Sequence, residues 1–141
     1  MTNEPDISFP YLFNYVKGEE WRTQKTVRQC IEKYFTNTVE GIPGNDDAGT
    51  LSAWLAFSMM GIYPDCPGNT KYQLTSPVFD EVIINLQSKY HKGNRLIIKS
   101  SQTSSIDSRI DNISFNNTKI NDYNIDHHDL IKGGELRFNQ K

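Results

Sequence analysis

Only two cysteines occur among the 141 residues, no segment gathers Lys or Arg densely, and no apolar run approaches the ~18–20 residues of a membrane span. Each shortage removes a class of protein. Two cysteines build neither a disulfide framework nor a zinc site. Cys30 falls on a helical apolar face with Val27, Ile31 and Tyr34, which predicts a small core residue. Cys66 falls in the turn-like YPDCPGN, and neither thiol is accompanied by the histidine motif that a nucleophile needs. The formal net charge is −2, so neither nucleic acid nor a lipid surface is an expected partner. The opening residues, MTNEPDISFPYLF, carry acids and a proline where a secretory signal has a basic start and an apolar core, so no signal peptide is expected. Internal repeats and low-complexity tracts are lacking as well.

What is present suffices for one ordinary domain. The chain is 36% hydrophobic with a mean hydropathy of −0.62, polar overall but with enough aromatics to fold. Its pattern changes near Pro64. Before that point the spacing predicts helices: a short one over Tyr11–Val16 opened by Pro10, a clear one over Glu19–Phe35, and a third over Thr50–Met60. Apolar residues cover nearly every side of the third, which predicts burial all round and a larger helical setting. An isolated chain is then expected to expose apolar surface around Leu51–Met60. Beyond Pro64, short β-branched or aromatic runs predict strands at Tyr72–Thr75, Phe79–Leu86, Arg95–Ser100, Arg109–Phe115 and Glu135–Phe138. FNNTKINDYN reads as turn, and His127 and His128 as turn residues before a short helical turn ended by Gly133 and Gly134. The expected class is α+β, helices first and a small, mainly antiparallel β region after them.

The stretch GIPGNDDAGTLSAWLAFSMMGIYP, residues 41–64, concentrates the chemistry. Pro43 and Gly44 make a tight turn that presents Asn45, Asp46 and Asp47 at the entrance of the third helix. Short acidic side chains at a helix entrance commonly cap it, and rigid turns of this kind also hold catalytic carboxylates. Trp21 and Trp54 have the area to stack on a sugar, but their helical spacing favours the core for both.

Several ordered motifs settle which family the sequence resembles. They are NEPD at 3–6, PYLFNY at 10–15, EEWRTQK at 19–25, GIPGNDDAG at 41–49 and SAWLAFSMMGIYP at 52–64. YQLTSPVFDEVIINL and, at 127–139, HHDLIKGGELRFN continue the series. Together they resemble the C-terminal end of the family 92 glycoside hydrolases, calcium-dependent exo-acting α-mannosidases. The resemblance implies that residues 1–64 are the terminal helices of an (α/α)₆ catalytic barrel, with the GNDD turn. It implies that residues 65–141 are strands packing on that barrel or on a neighbouring β-sandwich domain. It further implies an inverting α-mannosidase, of the α-1,2 type, in which an acid and a base flank the sugar about 6.5–9.5 Å apart.

The base position of the family maps to Asp47. Asp46 is its neighbour, and Asn45 stands where some members have a further Asp. Asn3 and Glu4, of the NEP motif, map to contacts with the sugar, although Ile7 and Ser8 follow where the family often has histidines. The family's general acid, a glutamate, lies upstream of the matching motifs, so this chain by itself is expected to be inactive. Calcium is the implied cofactor. Asn3, Glu4, Gln24, Asn45, Asp46 and Asp47 offer oxygens for its flexible shell, and the sequence does not choose among them. Implied partners are mannose-containing glycans and the remaining N-terminal part of the same enzyme. Family members usually carry export signals. The contrasting expectation is a truncated piece that packs or binds carbohydrate without activity.

Overall fold

A computed structural model describes residues 4–101 and 109–141. Two 3-10 helices, Glu4–Asp6 and Phe9–Tyr15, precede α1 (Glu20–Tyr34) and α2 (Thr50–Met60). Strands β1 (Ile62–Tyr63), β2 (Lys71–Leu74), β3 (Glu81–Asn85), β4 (Arg95–Ser100), β5 (Ile110–Phe115), β6 (Thr118–Ile120) and β7 (Asn124–Asp126) follow. A one-turn helix, α3 (His127–Leu130), leads into β8 (Gly134–Gln140). The class is α+β, helices first, as the sequence predicts.

The strands form two sheets. One is antiparallel in the order β1-β2-β7; the other runs β3-β4-β8-β5-β6 and is antiparallel except where β4 lies parallel to β8. Three strands differ from the sequence reading. β1 occupies residues next to the predicted helix end, β6 lies inside the Asn-rich segment read as turn, and β7 begins at that segment's last residue. That segment is polar because both strands are sheet edges, where side chains need not be apolar. Asn116 and Asn117 supply the turn into β6, with φ of 49° and 64°.

Gly61 ends α2 and starts the β half. It adopts φ 86°, and a β-carbon there would lie 2.7 Å from Pro77 Cγ and 2.9 Å from the Thr75 carbonyl oxygen. Only glycine meets both demands. The next two residues face opposite ways along the strand. Ile62 enters the sheet core with Leu74, Leu96, Ile98, Leu136 and Phe138. Tyr63 enters the helical core with Tyr11, Val27, Cys30 and Trp54. Tyr63 stacks on Tyr11 with ring centroids 4.8 Å apart, and Phe35 stacks on Trp54 at 5.7 Å. The Tyr11 hydroxyl, wholly buried, hydrogen-bonds Ser58 Oγ at 2.7 Å. Burial pushes this phenol far above its ordinary value.

Two expectations about apolar surface need correction. Leu51 and Trp54 are fully buried, and the outward side of α2 presents Ser52, Ala53 and Ala56. Leu55, Phe57, Met59 and Met60 are half-buried. The first 3-10 segments and α1 cover the side of α2 that carries Trp54, and alanines occupy what is left. Large exposed apolar side chains gather instead on Phe9–Tyr15 and its C-cap, where Phe9, Leu12, Tyr15 and Val16 are each 51–59% exposed, while others such as Val39 and Tyr90 are scattered. Trp21 is the second correction. It joins neither core but lies half-buried under the guanidinium of Arg109, 4.4 Å from the ring centroid.

Candidate active-site turn

The turn before α2 solves a backbone problem first. A helix start leaves four N–H groups without intrahelical partners. Here the Thr50 N–H donates to the Asp47 carbonyl at 3.2 Å, and the Leu51 N–H to the Asp46 carbonyl at 3.2 Å. The Ser52 N–H donates to Asp46 Oδ1 at 2.8 Å, and the Ala53 N–H to the Gly49 carbonyl at 2.8 Å. The Ala53 bond is the first of the helix ladder, so the Thr50, Leu51 and Ser52 donors are the ones the turn satisfies locally.

That arrangement needs an unusual backbone. Asp47, Ala48 and Gly49 are left-handed in succession, with φ of 48°, 57° and 95°. Glycine tolerates this, but each of the other two costs on the order of 1–2 kcal/mol. The Thr50 hydroxyl donates to the Asp47 carbonyl at 2.7 Å and pins the run from its C-terminal side. Non-glycine residues held left-handed by their surroundings are a recurrent feature of functional turns.

The two aspartates then diverge. Asp46 turns along α2: Oδ1 takes the Ser52 N–H, and Oδ2 takes the Ser52 hydroxyl at 2.9 Å. Both of its oxygens are engaged in capping. Asp47 receives the Asn45 side-chain amide on Oδ1 at 2.8 Å, and Oδ2 accepts from none of the described residues. Asn45 is exposed, while Asp46 and Asp47 are half-buried. The sequence brought these three residues forward as a group; Ser52 and Thr50 were missed. The hydroxyls that follow Gly49 in the TLS segment were the available signal.

The remaining predicted site residues are placed as follows. Asn3 lies outside the described residues, and Glu4 opens the first 3-10 turn. Trp54 connects that region to α2, because its indole N–H donates to the Ile7 carbonyl at 2.8 Å. The segment after the NEP motif therefore packs beside the helix that carries the acidic turn at its start. Gln24 is buried, and its Oε1 accepts the Ile110 N–H at 2.9 Å, which ties α1 to β5. Among the described residues, no three His, Cys, Asp or Glu side chains are grouped to hold a metal ion. His127 stacks on Tyr72, while His128 Nδ1 lies 2.8 Å from Asp126 Oδ1, so the histidine pair diverges.

Comparison with known proteins agrees with the motifs. The family described as the glycosyl hydrolase family 92 catalytic domain matches residues 1–141. A protein of Arthroderma benhamiae called an uncharacterized secreted glycosidase is 35% identical over 82 residues, covering 58% of this chain and 10% of that protein. A family 92 α-mannosidase of Bacteroides thetaiotaomicron, solved with mannoimidazole, is 28% identical with a TM-score of 0.86 over 99% of this chain. A family 92 inverting mannosidase from the same organism is 30% identical, with the same TM-score over the whole chain. The chain spans 18% of the length of each of these two structures. From fold, motifs and family match together, the chain belongs to glycosyl hydrolase family 92.

Proposed function

We propose that this chain carries the general-base side of an inverting α-mannosidase that removes terminal mannose, of the α-1,2 type, from glycans. The observation that carries the reading is the unequal use of the two aspartates: Asp46 is consumed by capping, while Asp47 keeps Oδ2 open. An inverting hydrolysis needs a carboxylate that takes a proton from water on one face of the sugar. Asp47 Oδ2 would accept that proton, and the Asn45 amide would hold the carboxylate in place through Oδ1. The left-handed run and the Thr50 hydroxyl would fix the direction in which the side chain leaves the backbone. The likeness to a structure named as an inverting mannosidase supports the stereochemistry. The acid that protonates the leaving oxygen would come from a part of the enzyme outside this chain. Asn3 and Glu4 would contact the sugar, as the family motif they match implies.

Calcium is part of the same proposal, and the donor set fits it only as a share of a site. Asp46 and Gln24 have their side-chain oxygens engaged and Asp47 Oδ2 serves as the base, which leaves Asn45 Oδ1 as the side-chain oxygen this turn could lend. A calcium shell takes 6–8 oxygens, so most would come from elsewhere in the enzyme or from the sugar. The chemistry it would supply is the holding of sugar hydroxyls.

The exposed Phe9, Leu12, Tyr15 and Val16 support a further part of the reading. Beside them, Phe9, Pro10, Leu12, Phe13, Cys30 and Tyr34 line an apolar groove of about 490 Å³. This surface would face the rest of the catalytic barrel, and residues 1–64 and 65–141 would be its last helices and the strands beyond them. Export from the cell is proposed from the relative called secreted.

The test replaces Asp47 by Asn in a longer protein that includes the upstream segment of the family. Loss of general-base catalysis should lower kcat for an aryl α-mannoside by ~10²–10⁴-fold and leave substrate binding largely intact. Full activity of that variant would remove Asp47 from the mechanism. Turnover by the purified 141-residue chain, with or without calcium, would show that the acid is not needed from outside.

A further inference from the structure

A second groove, of about 560 Å³, opens between the edge strand of one sheet and the edge strand of the other, β6 and β7. Its volume lies within the range of small-molecule sites. The apolar part of the lining is Phe115 and Ile120, both half-buried; Ile125 points the other way along β7, into the sheet core. The rim is made of short amides and a carboxylate. Asn116 is fixed there, since its Oδ1 accepts the Glu135 N–H at 2.9 Å. Asn121, Asp122 and Asn124 also line the groove, and their side chains have no hydrogen-bond partner among the described residues.

Three of the other charged groups at the rim, Asp126, Asp129 and Lys132, are already engaged. Asp126 accepts from the Thr70 hydroxyl at 2.7 Å and from the His128 N–H at 2.8 Å. Asp129 pairs with Lys132 at 2.8 Å. Charge at the groove is close to balanced, with Lys71 and Lys132 against Asp122, Asp126 and Asp129. A strongly charged ligand therefore gains little there. A peptide strand would find edges of only three residues each to pair with, too short for the main-chain bonds on which strand addition depends. A pyranose suits the lining better. Its C–H face matches an apolar floor, and its hydroxyls, which both donate and accept, match amides that do the same.

We propose that the groove between β6 and β7 is an accessory saccharide-binding site for a neutral hexopyranoside of one or two rings. It rests on the mannosidase reading only for the choice of mannose as the sugar. The site would hold a glycan by a part other than the bond being cleaved.

The test is an NMR titration of the ¹⁵N-labelled 141-residue chain with α-mannobiose, with maltose in parallel. The expected result is shifts confined to Asn116–Asp126, including the side-chain amides of Asn121 and Asn124. Asn121→Ala and Asn124→Ala should each weaken binding about three- to tenfold, the range for one lost hydrogen bond. Asn121 is exposed in a connection between strands, so its replacement keeps the test valid if Asn124→Ala disturbs β7. Asp47→Asn should leave these shifts unchanged, which separates this site from the proposed catalytic one. Equal shifts with maltose would support a saccharide site while counting against mannose as its sugar. No shift with either sugar at about 50 mM, far above ordinary millimolar affinity, would overturn the proposal. So would shifts produced by a short strand-forming peptide and by neither sugar.

Discussion

At the entrance of α3, Asp126 accepts from the Thr70 hydroxyl, the His128 N–H and the His128 ring. These bonds, the one from Thr70 foremost, hold its carboxyl well below the usual carboxylate range. At the entrance of α2 the same residue type occurs twice, and the work is divided. Asp46 does what Asp126 does, with both oxygens on Ser52. Asp47 stands one residue on, in a left-handed backbone, and receives only the Asn45 amide. One aspartate is enough to cap a helix. A second one, held in a strained conformation beside a cap already complete, needs a reason other than helix stability.

The sharpest way to break this comparison is to exchange the roles. Asp47→Asn in the longer enzyme should lower turnover by the ~10²–10⁴-fold of a lost general base, and Asp46→Asn should lower it far less. Equal losses from both variants, read as kcat on one aryl α-mannoside, would mean that the division of labour does not extend to catalysis. Stability should follow the opposite order. Asp46→Ala removes the acceptor of the Ser52 N–H and should cost ~0.5–2 kcal/mol in denaturant unfolding. Asp47→Ala should cost less than that, because it breaks only a side-chain bond to the exposed Asn45.

A smaller effect sharpens the argument about strain. Ala48 is exposed at φ 57°, so Ala48→Gly removes a β-carbon from an unfavourable backbone without disturbing packing. After the added freedom of the unfolded chain is subtracted, a gain of about 1 kcal/mol or less is expected in the unfolding midpoint. A clear loss would mean that the left-handed run is not strained.

The smallest effect concerns Asp126, through pH. Its folded carboxyl titrates below its unfolded value, so its contribution is fully present above the ordinary carboxylate pKa. That contribution is lost as pH falls through the depressed value. The melting temperature of Asp126→Asn should therefore lie below that of the parent near neutrality, and the gap should close in acid. A gap that is constant down to strong acid would show that the charge of Asp126 does not matter to the fold.

Much of this was legible in the sequence, for physical reasons that differ by element. The helix over Thr50–Met60 was readable to the residue because glycines bracket it and its apolar character is continuous. β4 was readable because Leu96 and Ile98 alternate with residues that face the other way. β6 and β7 were not readable, because an edge strand with one wet side has the composition of a turn. The acidic turn was recognised as a group. Its internal division was hidden, since Asp46 and Asp47 are chemically identical until a backbone conformation separates them.

By itself, the sequence determined the α+β class, the family and the residues that carry charge at the start of α2. Those are matters of local pattern and ordered motifs, which survive without a third dimension. Only the tertiary structure decided which aspartate caps and which is left open, that Trp21 lies under Arg109 while Trp54 is core, and that Phe115, Ile120 and Asn124 line one groove. The physical reasons differ. The two aspartates are separated by a local left-handed backbone that composition does not reveal, whereas burial and ring contacts belong to neighbours that lie far away in the chain.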